Sequence, residues 1–205
     1  MSREPVDRHE QILAVAAGLF ARKGVAATTV REIADEVGIL SGSLYHHFNS
    51  KEAMVDEILA PYLRDLHAAC QSVLSRTADP RTKLRDLVAA SLQVVEAHPH
   101  ATEIYQSDVN YLSQFERFGY LTAAASDVRK TWLEVISDGV ARGAFRADLE
   151  PRILYRLMRD AIWLSVRWFR PTPGYPLARF AEDCTSLFLD GVASARSLAE
   201  VGEDG

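Results

Sequence analysis

Cysteine is almost missing from this chain: only Cys70 and Cys184 occur in 205 residues. They share no ligand spacing with each other or with a histidine pair, which argues against a disulfide framework and a structural zinc site. Long apolar runs are missing too. At a mean hydropathy of -0.08, no stretch approaches the ~18 uninterrupted apolar residues of a membrane-spanning helix. The opening Met1-Ser2-Arg3-Glu4-Pro5 has no apolar segment behind its charges, so no secretion signal is expected. The chain is read as cytoplasmic, with no membrane partner and no cofactor. β-branched alternation is scarce, and Gly and Pro fall at segment ends, which predicts an all-α fold.

A basic excess is the last absence. The net charge of -5 at first opposes a nucleic-acid partner. Distribution weakens that objection, because the six Lys/Arg and six Asp/Glu of residues 1–51 balance. The whole deficit lies in the remainder, so the local arrangement must decide.

What the sequence does contain is helical periodicity. Ile12, Leu13, Ala16, Leu19 and Phe20 mark one apolar face of a first helix from about Val6 to Lys23, stopped by Gly24. Thr29 and Glu32 have capping-box spacing at the start of a second helix, with Ile33, Ala34 and Val37 inward and Gly38 at its end. A short helix follows from Ser41, its expected N-cap, to about Phe48. Ser50 caps a longer one, in which Met54, Val55, Ile58, Leu59, Tyr62, Leu63 and Leu66 form the stripe and Pro61 predicts a kink. Further helices are expected after Asp79-Pro80 and His98-Pro99, from about Gln114 to Ala141, from Pro151 to about Phe169, and from Leu177 to Arg196. A three-helix head, residues 1–51, thus precedes a helical body, residues 52–205.

Two short helices joined by Gly38-Ile39-Leu40 form a helix-turn-helix, whose second helix enters the major groove. Leu44 and Phe48, four apart, anchor that helix inward and leave Ser41, Ser43, Tyr45 and His46 outward, with His47 at the margin of that face. Small residues, Gly42 among them, let the backbone approach the duplex. The helix starts at Thr29 and Ser41 are expected phosphate sites, and Lys51 is placed to neutralise a further phosphate.

Phe20 through Gly24, Thr28-Thr29-Val30-Arg31-Glu32-Ile33-Ala34, Gly38-Ile39, Ser43-Leu44-Tyr45-His46-His47-Phe48 and Lys51-Glu52 together resemble the N-terminal domain of the TetR family. The resemblance implies a transcriptional repressor that binds a palindromic operator in double-stranded DNA as a homodimer. It also implies that residues 52–205 bind a ligand and dimerise through the last two long helices. Leu157, Leu187, Phe188 and Val192 suit that seam, although packing within one chain fits them equally.

In the helix opening at Pro151, Arg152, Arg156, Arg159, Trp163, Arg167 and Arg170 share an arc of roughly 80°. Such a stripe is most simply a solvated face, but a Trp between two arginines can instead stack on a flat ring while they pair with phosphate or carboxylate. Tyr105, Tyr111, Phe115, Phe118, Tyr120 and Trp132 form either core or the wall of an apolar cavity, with Gln106 and Asn110 as polar fingers. Cavity plus arginines points to an amphiphile with a large anionic head, such as an acyl-coenzyme A thioester.

A narrower resemblance agrees. Residues 38–48, Met54-Val55-Asp56-Glu57, Ile104-Tyr105-Gln106, Ser165-Val166-Arg167-Trp168 and Arg170-Pro171 are similar to the KstR-type repressors of actinobacterial cholesterol catabolism, in particular the branch controlling the last steroid rings. This implies release from DNA by a coenzyme A thioester of a steroid ring remnant, with Arg159, Trp163 and Arg167 at the nucleotide end. Two alternatives stand beside it. One is a TetR-type repressor for a fatty acyl-CoA or planar hydrophobic compound; the other is an acyl-CoA hydrolase using His67, His98 or His100 with Ser91, Ser107 or Cys70. The latter has no nucleophile elbow and no base paired with an orienting carboxylate at recognisable spacing, so no enzyme is expected.

Overall fold

The computed structural model describes residues 7–190. Among these it contains nine α-helices: α1 (Arg8–Lys23), α2 (Val30–Val37), α3 (Ser41–Leu44), α4 (Lys51–Leu74), α5 (Pro80–Ala97), α6 (Pro99–Leu112), α7 (Tyr120–Ala141), α8 (Pro151–Trp163) and α9 (Leu177–Asp190). Two 3-10 turns, Glu116–Phe118 and Leu164–Arg167, interrupt them, and the only extended pairing among the described residues is an isolated bridge between Thr172 and Tyr175. No helix among them is long and apolar enough to cross a membrane.

Local chemistry explains the head. Asp7 caps α1 by accepting from the His9 amide. The Thr29 hydroxyl accepts from the Glu32 amide while the Glu32 carboxylate accepts from the Thr29 amide, completing the capping box. Gly38 ends α2 at φ 76, a left-handed conformation in which a Cβ is strained. Ile12, Ala16, Leu19, Phe20, Ile33, Ala34, Leu44 and Phe48 close the core of this unit. All seven apolar residues expected to face inward on α4 are buried, and they carry the same core into the body. Helix α4 stays continuous through Pro61.

Four expected boundaries differ. Ser41 is not the cap of α3: Leu40 holds the N-cap position and makes no side-chain bond, so Ser41 is the first helical residue. That helix also stops at Leu44 rather than Phe48. The Ser-Gly-Ser start is poor helix-forming sequence, and the chain continues as a tight turn in which the His47 and Phe48 amides both donate to the Leu44 carbonyl. The helix expected from Gln114 begins only at Tyr120. Phe115 adopts extended backbone there, and edge-on packing of Phe115 against Phe118 and Tyr111 displaces helical continuation. Finally, α8 ends at Trp163 instead of Phe169. The buried Ser165 hydroxyl donates to the Ile162 carbonyl at 2.5 Å, which tightens the chain into the following 3-10 turn. Of α9, the stretch from residue 191, including Val192 and Arg196, lies outside the described residues.

Candidate nucleic-acid interface and effector cavity

Folding of the head leaves one surface exposed and unpaired. Leu44 and Phe48 are buried as expected, and Tyr45, His46 and Gly42 face outward, with Ser41 and Ser43 half-exposed. Nothing lies within 4 Å of a Cβ built on Gly42, so the start of α3 is open to a backbone-to-backbone approach. One member of this face is missing from the sequence reading. Leu40 is 80% exposed beside Tyr45 at 55%, an apolar side chain at the mouth of the recognition turn that suits a thymine methyl group. Its signal was the pattern itself, because Ile39 and Leu44 already fill the inward positions.

Two residues read as phosphate contacts are engaged internally. The Thr29 amide donates to Glu32 at 2.8 Å, so it is not free for a phosphate. Lys51 Nζ donates to the Val25 carbonyl at 2.6 Å and the Thr28 carbonyl at 2.9 Å, fastening the α1–α2 turn to the start of α4. Lys23 pairs with Glu32 at 2.6 Å. That ammonium, followed by the Thr29 bonds, pushes the Glu32 carboxyl down to about 2.

In the body, α4, α6, α7 and α8 line a partly open cavity of about 530 Å³. It brings together four of the six residues expected to bind ligand: Tyr105 and Gln106 from α6, and Arg159 and Trp163 from α8. Leu63, Leu66 and Val109 supply apolar wall. Asn110 is exposed and lines no part of it.

Trp163 is not set in water between two arginines. It is 4% exposed, and its indole Nε1 donates to the Tyr62 hydroxyl at 3.0 Å across the buried α4–α8 contact. Arg159 is held by its neighbour, Nε and Nη2 both donating to one Asp160 oxygen at 2.9 and 2.6 Å. Asp160 therefore orients an arginine. Burial pushes the Tyr155 hydroxyl up to about 12, with Arg159 and Arg129 pulling it back. Arg129, on α7, is a further lining residue that the sequence reading missed. Within the run Asp127 to Lys130 it looked like ordinary solvated charge, and only the fold turns it toward the cavity.

Arg167 and Arg170 do not join this group. The break after Trp163 swings them to a separate cleft of about 590 Å³ between α1, α5, α6 and the Leu164–Arg167 turn. There Arg167 donates to Glu103 at 3.1 Å and to the Ser107 hydroxyl at 3.0 Å, and Arg170 donates to the Val166 and Phe169 carbonyls. The continuous arginine stripe does not exist in the fold. Among the histidines and hydroxyls weighed for catalysis, His98 is bonded to Asp65 and Ser91 Oγ is buried without a partner.

On α8, Ile153 and Leu157 form an exposed apolar pair one turn apart, and Leu187 on α9 is exposed as well. Phe188 is half-buried.

Two family models match separate stretches of the chain. The model of bacterial regulatory proteins of the TetR family matches residues 12–58, and that of the tetracyclin repressor-like C-terminal domain matches residues 77–192. The transcriptional repressor KstR2 of Rhodococcus jostii is 44% identical over 91% of this chain and 92% of its own. The solved structure of the ketosteroid transcriptional regulator KstR2 of Mycobacterium tuberculosis superposes with a TM-score of 0.83 at 40% identity, covering 93% of this chain and 97% of that one. AibR, solved with isovaleryl coenzyme A and operator DNA, shares the fold at a TM-score of 0.74 and 20% identity, covering 89% and 98%. The chain belongs to the TetR family of transcriptional regulators, as a DNA-binding repressor of KstR2-like sequence and not an enzyme.

Proposed function

We propose that this repressor binds a palindromic operator as a homodimer and is released by a coenzyme A thioester of a steroid ring remnant, so that it controls genes of cholesterol or steroid catabolism. The observation that carries the ligand half is the cavity: an apolar chamber with Tyr105 and Gln106 on one wall and two guanidinium groups, Arg159 and Arg129, at its boundary. An apolar body with an anionic head matches that distribution of chemistry. Identity of 40–44% to KstR2 proteins supports the same assignment.

Residues 1–51 act as the DNA-binding domain and residues 52–205 as the ligand-binding and dimerisation domain. Leu40, Ser41, Gly42, Ser43, Tyr45 and His46 form the reading face. The exposed apolar residues Ile153, Leu157 and Leu187 form the dimer seam. Effector binding favours a head spacing that no longer fits the two half-sites, to the extent of its differential affinity for the two states. Helix α4 joins the sites, since it carries Tyr62 against Trp163 and begins in the head core.

A gel-shift on DNA upstream of the protein's own gene, titrated with acyl-CoA thioesters and their free acids, tests this. Release by a steroid-remnant thioester and not by its free acid is the expected result. Binding that every thioester leaves intact refutes the ligand. Tyr45→Ala is expected to lose the operator and keep the ligand, and Trp163→Leu to do the reverse.

A further inference from the structure

Val25, in the turn between α1 and α2, is completely buried, and both of its backbone polar groups are held by charged side chains from other helices. Its carbonyl accepts from Lys51 Nζ, at the start of α4. Its amide donates to Asp108 Oδ1 at 3.2 Å, across 83 residues of sequence, from α6. Asp108 is 8% exposed, and its second oxygen, Oδ2, has no hydrogen-bond partner. A buried carboxylate oxygen without a partner destabilises the fold, so a chain shaped for stability alone has no use for it. Sites that break a local rule in this way are where function is sought.

The place of Asp108 on its helix supplies the function. Tyr105, Gln106 and Val109 on the same short helix line the effector cavity, and Ser107 and Glu103 hold Arg167 on another face. Helix α6 packs more extensively against α1 than against any body helix. At 14 residues it moves as a unit, so pressure on Tyr105 or Gln106 is delivered to the adjoining face. The receiving turn cannot absorb that motion. Gly24 sits at φ 85 with its amide bonded to the Phe20 carbonyl, and the Thr28 hydroxyl donates back to the Gly24 carbonyl at 2.8 Å. Lys51 closes the far side. A shift of α6 is therefore passed to α1 and α2 as a rigid displacement.

We propose that Asp108 is the positioning residue that couples effector occupancy to head orientation, through its bond to the Val25 amide. The inference rests on the cavity being the effector site. It predicts a residue that touches neither DNA nor ligand yet sets the efficiency of release.

The test uses the full-length protein with three residues at position 108: the native Asp, Asp108→Asn, whose amide oxygen still accepts from Val25, and Asp108→Ala. Asp108→Thr, one atom shorter, replaces the last if that variant does not fold. The probe is the coenzyme A thioester of a fused-ring steroid-remnant acid. Two quantities are read: the probe Kd, and the factor by which saturating probe weakens operator binding. Asp108→Ala is expected to keep the probe Kd within about 3-fold while its release factor falls at least 10-fold, with Asp108→Asn close to native. A purely structural role changes thermal stability and leaves the release factor alone, so a native release factor in Asp108→Ala overturns the proposal. If the native protein does not bind the probe, the effector assignment fails by itself, and a ligand-free measurement then decides. A spin label at Glu36→Cys, exposed on α2, reports the distance between the two heads, since Cys70 and Cys184 are buried. A broadened distance distribution in Asp108→Ala and not in Asp108→Asn supports the coupling; identical distributions in all three refute it.

Discussion

Lys51→Met separates two roles for one ammonium group. In the structure Nζ gives two donors to the Val25 and Thr28 carbonyls, at 2.6 and 2.9 Å, and the side chain is half-buried. Hydrogen bonds to a charged group contribute about 1.5–3 kcal/mol each. Water replaces part of this where the group is accessible, and Met retains the apolar stem, so the loss is about 2–3 kcal/mol. With a urea dependence of about 2–3 kcal/mol per molar, the unfolding midpoint falls by about 1 M.

The competing role leaves a different signature. A lysine that neutralises a phosphate contributes about 0.9 to the slope of log affinity against log salt, hence almost 2 for a dimer. The clamp role predicts weaker operator binding with an unchanged slope, because the reading face is displaced and no counterion contact is lost. Urea titration and operator binding at several salt concentrations give both numbers from one preparation. An unshifted midpoint together with a slope shallower by almost 2 refutes the clamp.

Three further outcomes follow from the geometry. In Gly139→Ala the new Cβ stands 2.0 Å from the Phe145 ring, while the Phe145 amide is bonded to the Gly139 carbonyl at 3.1 Å. Overpacking of about 1–3 kcal/mol outweighs the ~1 kcal/mol helix-propensity gain of alanine, so the melting temperature drops; a rise refutes the close packing. Glu32, whose folded pKa is lowered from 4.5 to about 2 by Lys23 and Thr29, contributes its stability above the unfolded value and loses it as pH falls toward 2. An NMR titration of its carboxyl carbon with a midpoint near 4.5 contradicts this. Trp163→Phe and Tyr62→Phe are expected to couple by about 1 kcal/mol in a double-mutant cycle of unfolding free energies, and strict additivity refutes the buried bond.

The head was legible because its signals are local. Thr29 and Glu32 make the capping box their spacing announces, and Leu44 and Phe48 turn inward as a four-residue separation requires. The α4 stripe was legible for the same reason. The cavity was half legible. Tyr105, Gln106, Arg159 and Trp163 do meet, but the rotation that put Arg167 and Arg170 beside them assumed an unbroken helix. One buried serine bonding back to Ile162 ends that helix, and no periodicity count registers it. Lys51 and Asp108 were illegible as a pair, since their common partner is the backbone of Val25, which has no side-chain signature.

The net charge of -5 then finds its place. Between Val37 and Ser50 there is no Asp or Glu, so the proposed reading face of Leu40, Ser41, Gly42, Ser43, Tyr45 and His46 carries no carboxylate of its own. Of the cations around it, Lys23 pairs with Glu32 and Lys51 holds the turn, whereas the Arg31 side chain is 85% exposed and comes no nearer than 3.9 Å to Asp35, which leaves it accessible. On the proposed reading face, the exposed Leu40 side chain and Tyr45 hydroxyl have the chemistry for groove contacts with methyl groups and base edges.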